Sequence, residues 1–130
     1  MKLSRSRVAG VWLCVLLSVV LMAQTTVQRT VIQRADSSLQ GREALSVRAD
    51  FAVGASTGRH THPGDEISYV LEGQGEILIE GQPPLKVKAG DGFVVPAGAR
   101  HDAHNTGTEP LKLVAVYVVE KGKPVATPAP

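Results

Sequence analysis

Along residues 45–53 the apolar side chains fall on every second position: Leu45, Val47, Ala49, Phe51 and Val53. That period places all five on one face of an extended chain, so the segment predicts a half-buried β-strand. It ends at Gly54-Ala55-Ser56-Thr57-Gly58, a loop by composition. Further β-prone runs follow at Ile67–Leu71, Glu76–Glu80, Leu85–Val87, Phe93–Val95 and Leu111–Val119. Between them lie Glu72-Gly73, Gly81-Gln82-Pro83-Pro84, Gly90-Asp91-Gly92 and Pro96-Ala97-Gly98, each a turn signal. Strands recurring about every eight to twelve residues, with no helical period among them, predict an all-β sandwich or barrel. Val27–Ile32, in an N-terminal extension at 24–39, is a candidate edge strand, for this barrel or for a neighbouring subunit. Residues 121–130 (KGKPVATPAP) combine three prolines with small side chains and read as an extended, poorly ordered tail.

The start of the chain is different. Lys2, Arg5 and Arg7 precede Val8–Met22, fifteen residues without a formal charge, and Ala23 leads into polar Gln24-Thr25-Thr26. This is the order of a secretory signal, expected over residues 1–23, and the run is shorter than the roughly 20 apolar residues of a spanning helix. Cleavage is expected after Ala23, although Leu21 then occupies a position where a small residue is preferred; the alternative is a retained N-terminal anchor. Cys14, the single cysteine, lies inside this segment. An exported, periplasmic or secreted domain at 40–120 would then have no disulfide, thiol nucleophile or thiolate metal site. Its stability would rest on its core, on a metal or on oligomerisation.

Charge follows the same division. The whole chain carries 14 Lys+Arg against 12 Asp+Glu, a net +2. Without Lys2, Arg5 and Arg7 the balance is 11 to 12, so the basic excess belongs to the segment expected to be removed. A nucleic-acid partner loses its electrostatic argument. No membrane role is expected after cleavage, and the partner left is a small molecule.

All four histidines lie between 60 and 104. His60 and His62 are two apart, so on an extended strand both imidazoles share a face. Pro63 biases His62 towards extended geometry, and Pro63-Gly64-Asp65 supplies a corner after which Glu66 can swing back to the pair. A fourth ligand must come from a distant strand, with His101, just after Pro96-Ala97-Gly98, as the candidate. Three imidazoles and a carboxylate suit one divalent first-row ion, with Fe, Mn, Cu, Ni and Zn all admissible. Four protein ligands would leave room on the ion for water, dioxygen or a chelating substrate.

These residues sit in two longer patterns. Gly54, His60, His62, Glu66 and Gly73 fit G-x5-H-x-H-x3-E-x6-G without a gap, and Gly90, Pro96, Gly98, His101 and Asn105 fit G-x5-P-x-G-x2-H-x3-N equally well. Residues 74–89 separate them. In both motifs the chain resembles the small single-domain bacterial cupins, over about residues 40–120. The resemblance implies a single-domain, cupin-type jelly-roll β-barrel, metal ligation by His60, His62, Glu66 and His101 inside it, and a homodimer.

Strand parity sorts the neighbours. Ser68 and Val70 share parity with Glu66, and Ala103 with His101, so all three are expected to line the pocket. His104 has the opposite parity to His101 and is expected at the rim or surface, with a role behind the ligands as the alternative. Arg59, Arg100 and Tyr69 point outward by the same rule, and the motif glycines read as turn formers. Two functions remain in view. One is a metal-dependent oxygenase, isomerase, lyase or decarboxylase; the other is a module that binds a small ligand or metal without chemistry. A purely structural metal is a third reading. No second acid–base pair is present, and past the N-terminal segment Phe51, Tyr69, Phe93 and Tyr117 are the only aromatic side chains, which argues against a large aromatic substrate.

Overall fold

The last long apolar run folds as its pattern dictates. In β9 (Leu111–Glu120), Leu111, Leu113, Ala115, Tyr117 and Val119 are buried while the residues between them are half-exposed. The structure, a computed structural model, describes residues 26–130. The expected signal segment at 1–23 lies outside them. The other strands are β1 (Val27–Asp36), β2 (Arg42–Phe51), β3 (His60–Thr61), β4 (Gly64–Glu72), β5 (Gln74–Ile79), β6 (Leu85–Lys88), β7 (Gly92–Val95), β8 (His101–His104) and β10 (Thr127–Pro128). No helix occurs among the described residues.

The strands form two five-stranded antiparallel sheets, ordered β1-β2-β9-β4-β7 and β10-β3-β8-β5-β6. Their apolar inner faces meet in one core: Leu45, Val47, Ala49 and Phe51 from β2 and Val70 from β4 join Ile77, Ile79, Val87 and Ala103 of the second sheet. This double-sheet jelly roll accords with the predicted all-β class. Each fully buried branched or aromatic side chain contributes roughly 1.5–3 kcal/mol.

Three features refine the sequence reading. First, β2 stops at Phe51 and Val53 is exposed, because the Ala55 amide donates to the Ala52 carbonyl and Gly54 turns the chain with φ 75°. Second, β1 extends past Ile32 to Asp36, and it pairs with β2 of its own chain through a bulge between Val31 and Gln33. Third, the C-terminal segment is extended as expected but is docked: Thr127 and Pro128 pair with Thr61 and His60.

Close approach requires glycine where β4 begins. A Cβ on Gly64 would stand 1.9 Å from the Val118 carbonyl oxygen of β9. Asn105, the last residue of the second motif, is 1% exposed and ties loops together. Its Nδ2 donates to the carbonyls of Ala52 and Glu109 at 3.1 and 2.9 Å, and its Oδ1 accepts from the Gly107 amide at 3.0 Å. Satisfying otherwise unpaired loop groups in this way holds both ends of the 52–109 region in register.

Candidate metal centre

Four chain segments deliver four ligand-type side chains to one point. His60 is on β3, His62 follows it at the corner, Glu66 is on β4 and His101 opens β8. β3 and β8 pair through His60 and His101, which puts those rings side by side with centroids 4.2 Å apart. His62 lies 4.7 Å from His60 and 4.9 Å from His101 by the same measure. One ligand atom from each of the four residues lies within 4.8 Å of all the others.

The backbone sets the chemistry of the rings. His60 Nδ1 lies 2.7 Å from the Gly58 carbonyl, His62 Nδ1 2.6 Å from that of Val125, and His101 Nδ1 3.0 Å from that of Ala99. A carbonyl oxygen only accepts, so each Nδ1 carries the proton and each Nε2 presents its lone pair. The Nε2 atoms of His62 and His101 are buried without a hydrogen-bond partner and lie 3.0 and 3.3 Å from Glu66 Oε2. Ser68 Oγ donates to the other carboxylate oxygen, Oε1, at 2.6 Å. Two orphaned buried nitrogens converging on one anionic oxygen, each ring fixed from behind, fit a bound divalent cation.

Electrostatics agree with the geometry. Burial pulls Glu66 upward, but the imidazoles of His101 and His62 and the Ser68 hydroxyl outweigh it and hold the carboxyl well below its usual range. It is an anion wherever the protein is folded near neutrality. Burial pushes His60 down, helped by the other two rings. For His101 burial acts in the same direction, but the Glu66 carboxylate and the Ala99 carbonyl prevail and raise it above 6.5. Tyr117 is raised by burial and by Glu66, so it stays a neutral phenol; its ring packs 4.6 Å from His62.

His60, His62 and Glu66 border a cavity of about 190 Å³ inside the barrel. Leu45, Val47, Ala49, Phe51 and Leu113 give it an apolar wall, Val125 and Ala126 of the tail close one side, and Arg29 and Arg34 of β1 stand at another. Arg34 is partnered by Glu43 at 3.8 Å, whereas Arg29 makes no ion pair among the described residues.

Of the three expected pocket residues, Ala103 lines this cavity. Ser68 and Val70 do not: the Ser68 hydroxyl is spent on Glu66, and Val70 is fully buried in the core. His104 stands outside the four-residue cluster, opposite Glu76 of β5. Tyr69 is half-exposed, and Arg100 faces Glu80 at 3.9 Å. Among the cavity residues not foreseen from the sequence are Tyr117, Arg29, Arg34 and the tail. Strand parity counted from polar Lys112 puts Tyr117 on the inner face with Leu111 and Leu113, and only the pairing of β1 with β2 reveals Arg29.

Comparison with known proteins settles the family. Residues 47–117 match the cupin domain family. The chain is a cupin. It is 32% identical over 83 residues to the oxalate-binding protein of Thermotoga maritima, covering 63% of this chain and 68% of that one. It is 41% identical over 58 residues to an acireductone dioxygenase of Rhodopseudomonas palustris, covering 42% of this cupin but only 35% of the dioxygenase. Among solved structures it is similar in fold to a cupin-like protein of Thermotoga maritima, with a TM-score of 0.67 and 22% identity over 79% of this chain and 75% of that chain.

Proposed function

We propose that this cupin binds one divalent first-row metal through His60, His62, Glu66 and His101 and uses it to hold a small, oxygen-chelating anion. The observation that carries the reading is the convergence of three imidazoles, each held with its Nε2 free, and one carboxylate at the border of a cavity that also faces Arg29. When bound, the metal supplies Lewis acidity or, as iron, manganese or copper, oxygen chemistry. The chain's own residues supply the rest. Arg29, exposed at the cavity, offers a cation to a carboxylate, the apolar wall excludes water, and Tyr117 keeps a proton on its phenol oxygen. Charge balance favours an anion: a divalent ion with one carboxylate ligand leaves +1, to which Arg29 adds another.

On this reading the protein is a small metal-dependent enzyme acting on a carboxylate. The alternative is a non-catalytic binding module, favoured by its likeness to an oxalate-binding protein. We propose further that the domain works outside the cytoplasm after loss of residues 1–23, without a nucleic-acid partner. We take it to be a homodimer, supported by the exposed apolar row of Val94, Ile67 and neighbouring Val116 on the outer face of the first sheet. N-terminal sequencing of the exported protein and light scattering test these points; an intact Met1 or a monomeric mass contradicts them.

The direct test is calorimetric titration of the manganese-loaded protein with oxalate, with a neutral diol as control, followed by assay for turnover. Arg29→Ala is expected to weaken oxalate binding about tenfold or more, as loss of a charge-assisted contact, with metal content unchanged. Equal binding of oxalate by both proteins overturns the role of Arg29, and binding of the neutral diol as tight as that of oxalate overturns the anion reading. Product formation separates the enzyme from the binding module.

A further inference from the structure

The match to the cupin family ends at residue 117, yet the side of the site next to His62 is built from residues beyond it. After Glu120 the chain turns and returns along the free edge of β3. Thr127 pairs with Thr61, Pro128 pairs with His60, and the Ala129 amide donates to the Arg59 carbonyl at 3.0 Å. Ala129 is buried at 9% exposure, and Val125 packs against the core. The Val125 carbonyl accepts from His62 Nδ1 at 2.6 Å, across 63 positions of sequence.

We infer that residues 124–129 act as a strap that completes the metal centre, with the Val125 carbonyl as the positioning group for His62. The inference rests on the metal reading above. β3 is two residues long and pairs with β8 only through His60 and His101, so by itself it would hold its ligands loosely. The strap gives it a second neighbour. Gly58 and Ala99, which orient His60 and His101, each lie two residues before their histidine and so come with the local loop. His62 has no such local partner, and its orientation depends on the tail. The composition of the strap favours docking, since Pro124 and Pro128 restrict the unbound segment and lower the cost of ordering it. Pro128 also has no N–H to offer a further strand, which is how an exposed sheet edge is closed to aggregation. Carbonyls and carboxylates behind metal-bound histidines fix the tautomer, and their loss typically weakens metal affinity about 10–100-fold.

The test uses the full chain and a variant ending at Lys123, with Co²⁺ as the probe. In the full-length, metal-free protein, long-range ¹H–¹⁵N spectra are expected to show His62 as the Nδ1–H tautomer with a slowly exchanging proton. The shortened protein is expected to bind Co²⁺ about 10–100-fold more weakly. Adding the peptide of residues 123–130 at high concentration should restore part of that loss. An Nε2–H tautomer in the full chain overturns the inference, and so does Co²⁺ affinity within twofold in a folded shortened protein. Where the shortened protein does not fold, the tautomer decides alone. Failure of both proteins to bind any metal, with the Nδ1–H tautomer present, strikes the metal reading and leaves the positioning contact standing.

Discussion

His101 shows how one residue's surroundings set the conditions for the whole site. Glu66 and the Ala99 carbonyl raise it above 6.5 in spite of burial, so in the metal-free protein a proton competes for the nitrogen that faces the ion. The sign follows from that competition. As pH rises through the His101 value the proton leaves, and metal affinity increases; below it affinity falls, because binding must expel the proton. His60 is pushed down and adds no competing proton in that range. Co²⁺ affinity measured across pH is therefore predicted to climb with an inflection above 6.5; an inflection clearly below 6.5 contradicts it. The same shift means that His101 stabilises the metal-free fold most below its unfolded value and loses that contribution as pH rises through the folded one. At this scale the sequence was informative where spacing carries geometry. His60 and His62 share a face because they are two apart, and Ala103 lines the cavity because it is two from His101. Parity says only which way a side chain points, not what it meets. Ser68 points inward and is consumed by Glu66, and Val70 points inward and is consumed by the core.

Between residues and the whole lie the strands and the loops that aim them. The loop at 54–58 enters β3 and so delivers His60, and it is fastened to β8 by Asp102. Ser56 Oγ lies 2.8 and 2.7 Å from the two carboxylate oxygens and shares its one proton with them, and Thr57 Oγ1 donates at 2.8 Å while accepting from the Ala103 amide at 2.9 Å. Asp102 adjoins the ligand His101, so one short strand carries both a ligand and the clamp for the loop bearing another. Asp102→Ala is predicted to cost about 2 kcal/mol in urea unfolding, the usual range for lost hydrogen bonds to a charged group. An unchanged midpoint would show that the clamp is not needed. Strand β9 was legible as the apolar run Leu111–Val119, although Val114, Val116 and Val118 are apolar too and the run does not itself say which set faces inward. The β2 alternation ran one step too far, because Val53 keeps the period while the Ala52–Ala55 turn has already ended the strand. The tail was harder still. Three prolines and small residues describe an extended segment, but composition does not name the strand edge it will find.

At the scale of the molecule, turn spacing was enough for the all-β class, and the two motifs for the cupin barrel. Sheet order was not readable, since β2 meets β9 and β4 meets β9 across long stretches of sequence that no local pattern links. The pairing of β3 with β8 joins His60 to His101, β4 beside β9 brings Glu66 to them, and β1 and β9 put Arg29 and Tyr117 on the cavity that His60, His62 and Glu66 border. The core is built between the two sheets, and the cluster of four ligand-type residues stands at one cavity of it. On the proposed function this cavity holds one metal ion. Elemental analysis of the purified protein, beside a His60→Ala, His101→Ala double variant of equal circular dichroism, tests it most directly. About one equivalent of a divalent first-row metal per chain is expected in the parent and none in the variant. A parent protein that is folded and takes up no such metal even when it is supplied in excess would contradict it.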